Sequence, residues 1–87
     1  MTTNLDLEVR LLAEDLRRAG AEALAEPLEV ALCGSTSGEI LCDLGGALLR
    51  VSRRGSGASA DARAKAKALR RAVDALLREA GHSPPLL

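Results

Sequence analysis

The sequence predicts an α+β fold: a single small domain ordered α-β-β-β-α, with a three-stranded antiparallel meander packed against two amphipathic helices. Three observations point there. Residues 5–25 and 61–80 carry apolar side chains at helical spacing. Residues 28–53 carry them at alternate positions, as a half-buried strand does. Two glycine-bearing stretches, Gly34-Ser35-Thr36-Ser37-Gly38 and Gly45-Gly46, divide that central segment into three.

The first helix starts beside Asn4, or beside the pair Thr3 and Asp6, either of which caps exposed backbone N–H groups, and Asp6 and Glu8 suit its dipole. Leu5, Val9, Leu12, Leu16, Ala19 and Ala23 form a narrow stripe along one face. Glu8, Asp15 and Glu22 run beside that stripe. Pro27 closes the segment by disfavouring helical geometry at Glu26. Leu7 and Leu11 fall on the opposite face, one turn apart. They are either incidentally exposed or part of a second buried surface, with the helix held between its own sheet and another chain.

In the central segment, a turn that sets Cys33 opposite Glu39 pairs Leu32 with Ile40, Val30 with Cys42, and Leu28 with Leu44. A two-residue turn at Gly45-Gly46 pairs Leu44 with Ala47, Cys42 with Leu49, and Ile40 with Val51, which continues the same inner face. In this register Cys42 points inward and Cys33 outward, so they form no disulfide, and both are expected as free thiols. The outer face holds Ala31, Cys33, Leu41 and Leu48, an apolar set for a wet surface. With Leu7 and Leu11 they make up the expected partner interface, and the open edge strands agree with a homodimer.

Residues 55–60 read as a flexible linker. The second helix is capped by Ser59 or Asp61 and ended by Gly81, with Pro84 and Pro85 beyond. Ala62, Ala66, Leu69, Val73, Leu76, Leu77 and Ala80 form its apolar face. Opposite them Arg63, Lys67, Arg70, Arg71 and Arg78 cluster within about 100°, interrupted by Asp74. Arg50, Arg53 and Arg54 extend this basic face. The domain spans residues 1–82, and 83–87 form a frayed tail.

Composition bounds the chemistry. The 87 residues include no Phe, Tyr or Trp, so the core is restricted to aliphatic side chains. Formal charge is zero, but residues 1–46 hold three basic and nine acidic residues, a balance of −6. Residues 47–87 hold nine basic and three acidic, a balance of +6. Gly55-Ser56-Gly57-Ala58-Ser59 leads into a helix without the Lys-Ser/Thr of a P-loop, and Asp61 repels phosphate there. His82 is the only histidine and has no positioned partner in sequence, and Ser35, Thr36 and Ser37 are turn formers without a nucleophile motif. No cofactor, metal site or enzymatic activity is expected.

The segment Met1-Thr2-Thr3-Asn4 lacks the basic start of a secretory signal, and no apolar run approaches a membrane span. A cytoplasmic protein is expected, and the bias to Ala, Arg, Gly and Leu over Lys fits a GC-rich bacterial genome. The expected function is a non-catalytic protein–protein interaction or regulatory module acting as a homodimer. The alternative is sequence-nonspecific binding of a DNA phosphate backbone through the basic face. The element order α-β-β-β-α resembles the YbaB-type nucleoid-associated proteins, and that resemblance implies the DNA-binding alternative. The absence of aromatic side chains disfavours recognition by base stacking.

Overall fold

Four helices and no strand make up the described part of the chain, residues 5–34 and 37–79 of a computed structural model. They are α1 (Leu5–Arg18), α2 (Glu22–Ala31), α3 (Ser37–Ser52) and α4 (Ala60–Glu79). Each packs on the next in sequence, and α4 closes back onto α1, while α1 and α3, like α2 and α4, do not meet. The result is an all-α ring of four helices around one core. The expected α+β class is thereby overturned, and with it the three-stranded meander, its outer face and the resemblance in element order. The expected caps at Thr3 and Asn4, the Gly81 stop and the tail lie outside the described residues.

The core answers the composition directly. Val9, Leu12, Ala13 and Leu16 come from α1, Ala25, Leu28 and Ala31 from α2, Leu44, Ala47, Leu48 and Val51 from α3, and Ala66, Leu69, Val73 and Leu77 from α4. No polar or charged residue is buried among the described residues. Small alanines at Ala13, Ala25, Ala47 and Ala66 let helices approach closely, while the leucines between them fill the axis. Burying a leucine or valine contributes about 1.5–3 kcal/mol, and in a chain this short nearly all of that comes from these four stripes.

Why the middle is helical can be read from which leucine is buried. A strand register places Leu49 inside with Val51 and leaves Leu48 outside. The structure buries Leu48 completely and leaves Leu49 only half-buried. Ile40, Leu44, Ala47, Leu48 and Val51 recur at three- and four-residue steps, a stripe of period 3.6. The alternation that mimics a strand breaks at Val30, which is 63% exposed, and at Cys42, which is exposed rather than inward. Gly45 and Gly46 are not a turn. They lie inside α3, with Gly45 on its buried face. Each costs about 1 kcal/mol relative to alanine in a helix, which the burial of the flanking leucines offsets.

The break in the first predicted helix occurs at Gly20 instead of Pro27. Gly20 adopts φ +83, the left-handed geometry that glycine tolerates without a Cβ penalty. Its N–H donates to Arg17 O at 3.1 Å, and the N–H of Ala21 donates to Leu16 O at 2.7 Å. This is a Schellman stop, which satisfies carbonyls at the end of α1. Pro27 then sits inside α2, where its ring removes one backbone hydrogen bond without ending the helix. Outside the turn, Arg17 clasps the two helices together. Its Nε donates to Glu29 Oε2 at 3.1 Å, and its Nη1 lies 2.9 Å from Glu22 Oε2.

After α3 the chain turns through Gly55 and Gly57, both at positive φ. Ser56 fastens this loop: its Oγ donates to Val51 O at 3.0 Å and accepts from the Ala58 N–H at 3.2 Å. Ser59, rather than Asp61, caps α4 by accepting the Ala62 N–H at 3.1 Å. No described helix is long and apolar enough to cross a membrane.

Two expected outcomes test these assignments. A Cβ at Gly46 meets nothing within 4 Å, so Gly46→Ala should raise stability by about 0.5–1 kcal/mol in urea denaturation. A left-handed hairpin turn at that position predicts a loss instead. The Arg17 guanidinium holds the Glu29 carboxyl below its ordinary range. That lowered value means the clasp contributes fully above the ordinary carboxylate pKa and is lost as pH falls through the depressed one. In a carboxyl-detected titration Glu29 should protonate below the ordinary glutamate range, and Arg17→Ala should return it to that range. A Glu29 that titrates in the ordinary glutamate range in the intact protein contradicts the clasp.

Candidate nucleic-acid interface

The α3–α4 pair creates one surface that the other helix pairs lack. The apolar stripe of α4 faces the core, and the positions flanking it on the α3 side are Arg63, Lys67, Arg70 and Asp74. α3 supplies the opposite wall with Leu49 and Ser52, one turn apart. Lys67, Arg70, Arg71 and Asp74 with Leu49 and Ser52 line a groove of about 430 Å³. A second groove of about 260 Å³ is lined by Arg54, Ala60, Arg63, Ala64, Ser52 and Lys67. Ser52 and Lys67 belong to both, so the two grooves adjoin along α4 and together make up its basic channel. Ser52 turns its hydroxyl into its own helix, donating to Leu49 O at 2.8 Å, and so leaves the cations to set the character of the channel.

Charge is not merely segregated in sequence; it is unevenly neutralised in space. All three arginines of residues 1–46 are paired: Arg10 with Asp6 at 3.1 Å, Arg17 with Glu22 and Glu29, and Arg18 with Glu14 at 2.8 Å. Among the described residues, none of the basic side chains from Arg50 to Arg78 has a carboxylate within 4 Å. Unneutralised cations along a low-dielectric wall concentrate anions more strongly than the zero net charge implies.

Two residues of this lining each carry a stranded polar atom. Arg70 Nε and Asp74 Oδ1 are shielded from solvent, and neither has a hydrogen-bond partner among the described residues. They sit one helical turn apart, yet no ion pair joins them. Leaving a buried polar group unsatisfied costs about 1–3 kcal/mol.

The expected site residues divide sharply. Arg54, Arg63, Lys67, Arg70 and Arg71 come together in the channel, and Arg78 lies two turns beyond Arg70 on the same helix, exposed. Arg53 is exposed in the preceding loop. Arg50 departs from the cluster: it lines a groove of about 320 Å³ between α2 and α3, with Pro27, Val30, Cys42 and Asp43. Lys65 faces the other side, towards Asp15 and Asp61.

The expected partner interface comes apart. Ala31 and Leu48 are core residues, 3% and 0% exposed, and cannot meet a partner in this fold. Leu41 is half-buried against the core. The common outer face that joined them belonged to a sheet that does not form. Cys33 is exposed, as are Leu7 and Leu11 at 54% and 46%. Sequence reasoning missed Leu49 and Ser52 as the channel wall and Val30 as an exposed apolar residue. The i, i+3 spacing of Leu49 and Ser52 was the available signal.

No protein-family model matches the chain, and neither a curated protein nor a solved structure matches it.

Proposed function

We propose that the protein is a non-catalytic nucleic-acid-binding module that holds a phosphate backbone in the α3–α4 channel. The observation that carries this reading is the convergence of Arg54, Arg63, Lys67, Arg70 and Arg71 on one channel with no carboxylate partner within 4 Å. The stretch from Arg63 to Arg78 spans sixteen residues of helix, about 22 Å between its ends, long enough to follow several consecutive phosphates. Without aromatic side chains the recognition rests on phosphate and sugar contacts, so it carries little base information. The paired, acidic surface of α1 and α2 faces away from the polyanion in this arrangement and keeps the chain neutral overall.

Titration of a fluorescent 20-base-pair duplex tests the reading. Neutralising about four phosphates predicts affinity falling about 100-fold between 50 and 200 mM salt. The double variant Lys67→Ala/Arg71→Ala should weaken binding and flatten that salt dependence by about two units of slope. No binding at the lower salt, or binding indifferent to the double variant, sinks the proposal.

A second reading rests on Leu7 and Leu11. They are adjacent on the outer face of α1 and bracketed by the Arg10–Asp6 and Arg18–Glu14 ion pairs. An apolar pair with a charged rim is a compact site for a second copy of the chain, and a homodimer through α1 leaves the basic channel free. Sedimentation equilibrium at high micromolar concentration should then show a dimer that Leu7→Glu/Leu11→Glu converts to a folded monomer. A monomer before mutation removes this reading.

A further inference from the structure

The groove between α2 and α3 shares no lining residue with the basic channel. Its walls are mostly apolar: Pro27, Val30 and Ala31 from α2, with Ala47 and the bare backbone of Gly46 from α3. Val30 is 63% exposed, more than any other large apolar side chain among the described residues. A Cβ at Gly46 meets nothing within 4 Å, so nothing in the chain itself covers this point of α3. A glycine there lets another helix come closer than a side chain would allow. Asp43 and Arg50 also line the groove and share the exposed face of α3, three residues before Gly46 and four after it. Two helical turns, about 10.5 Å, separate them. Among the described residues, neither has an oppositely charged side chain within 4 Å.

This arrangement of charge is its own complement. A half-turn about an axis through Gly46, perpendicular to the helix, sets the acid of one copy against the base of the other, twice over. A partner carrying one sign of charge satisfies one end of the face and is repelled by the other. We infer that a second copy of the chain docks on this groove. In that dimer α3 crosses α3 antiparallel at Gly46, and Asp43 of each copy pairs with Arg50 of the other. Val30 of both copies loses water in the same contact. The surface is separate from the Leu7 and Leu11 pair on α1, and the inference does not rest on the nucleic-acid reading. Neither Asp43 nor Arg50 lines the basic channel, so each copy keeps its own. A single helix crossing is a small contact, which places the association in the micromolar range rather than the nanomolar.

The experiment is sedimentation equilibrium of the full chain from low to high micromolar concentration, with circular dichroism confirming that each variant is folded. The unmodified protein should dimerise within that range. Asp43→Arg gathers only cations on the crossing face and Arg50→Asp only carboxylates. Each variant alone should therefore dimerise about tenfold more weakly, or less still. Both positions are exposed, so the helices themselves are left intact. Mixed in equal amounts, the two variants should associate about as tightly as the unmodified protein, because each end of the contact then joins opposite charges. Leu7→Glu/Leu11→Glu should leave the dimer unchanged. An unmodified protein that stays monomeric at high micromolar concentration overturns the inference. So does a single variant that dimerises at full strength, or a mixture that fails to associate. A dimer that Leu7→Glu/Leu11→Glu dissociates is built on α1, and that result overturns the inference as well.

Discussion

The structure depends on closing a core from aliphatic side chains alone. With no aromatic ring to cover area, fifteen alanine, valine and leucine positions must meet along one axis. Each helix contributes a narrow stripe, and none of the four stripes is sufficient alone. This explains why the α1–α2 corner is sharp. The Schellman stop at Gly20 turns the stripe of Val9, Leu12 and Leu16 directly onto Ala25 and Leu28. It also explains why α3 keeps a glycine pair within it: any interruption there would remove Leu44 and Leu48 from the same axis.

Because the core accepts no polar group among the described residues, every charge is pushed outward and the helix faces decide where it collects. On α1 and α2, carboxylates and arginines alternate closely enough to pair within one helix or across one corner. On α4 the cations at positions 63, 67, 70, 71 and 78 share a flank, and α3 meets them with Leu49 and Ser52 instead of acids. The channel is thus a by-product of packing that function can exploit. Its cations are held beside a solid wall, and the one acid in its lining, Asp74, forms no ion pair with its neighbour Arg70.

What the sequence made legible follows the strength of its periodicity. α4 is twenty residues of consistent 3.6 spacing, and its apolar stripe, its start to within one residue and its basic flank were readable. The face of α1 was readable too, but its end was not: Pro27 drew attention as a helix breaker, while Gly20, in the C-cap position, had the stronger mechanism. The middle failed because Leu28, Val30, Leu32 and Ile40, Cys42, Leu44 alternate by accident and Gly45-Gly46 imitates a hairpin turn. Leu48 beside Leu49 was the discordant residue. Two adjacent leucines fit a helical stripe with a half-buried shoulder, and in a strand one of them must be wet. Losing the sheet changed the site more than the fold class. The interface built on Ala31 and Leu48 vanished into the core, whereas the α4 cations stayed together because their clustering depended only on that helix, and Arg50 left them.

The continuity of α3 through Gly45 and Gly46 underlies both the core and the channel wall. The most direct check is the set of ¹³Cα secondary shifts for residues 37–52 in solution. A continuous helix gives uniformly positive secondary shifts on both sides of the glycine pair and amide protection extending through Leu48. Negative, strand-type shifts at 39–44 and 47–52 flanking a turn at the glycines would contradict the four-helix arrangement and remove the channel with it.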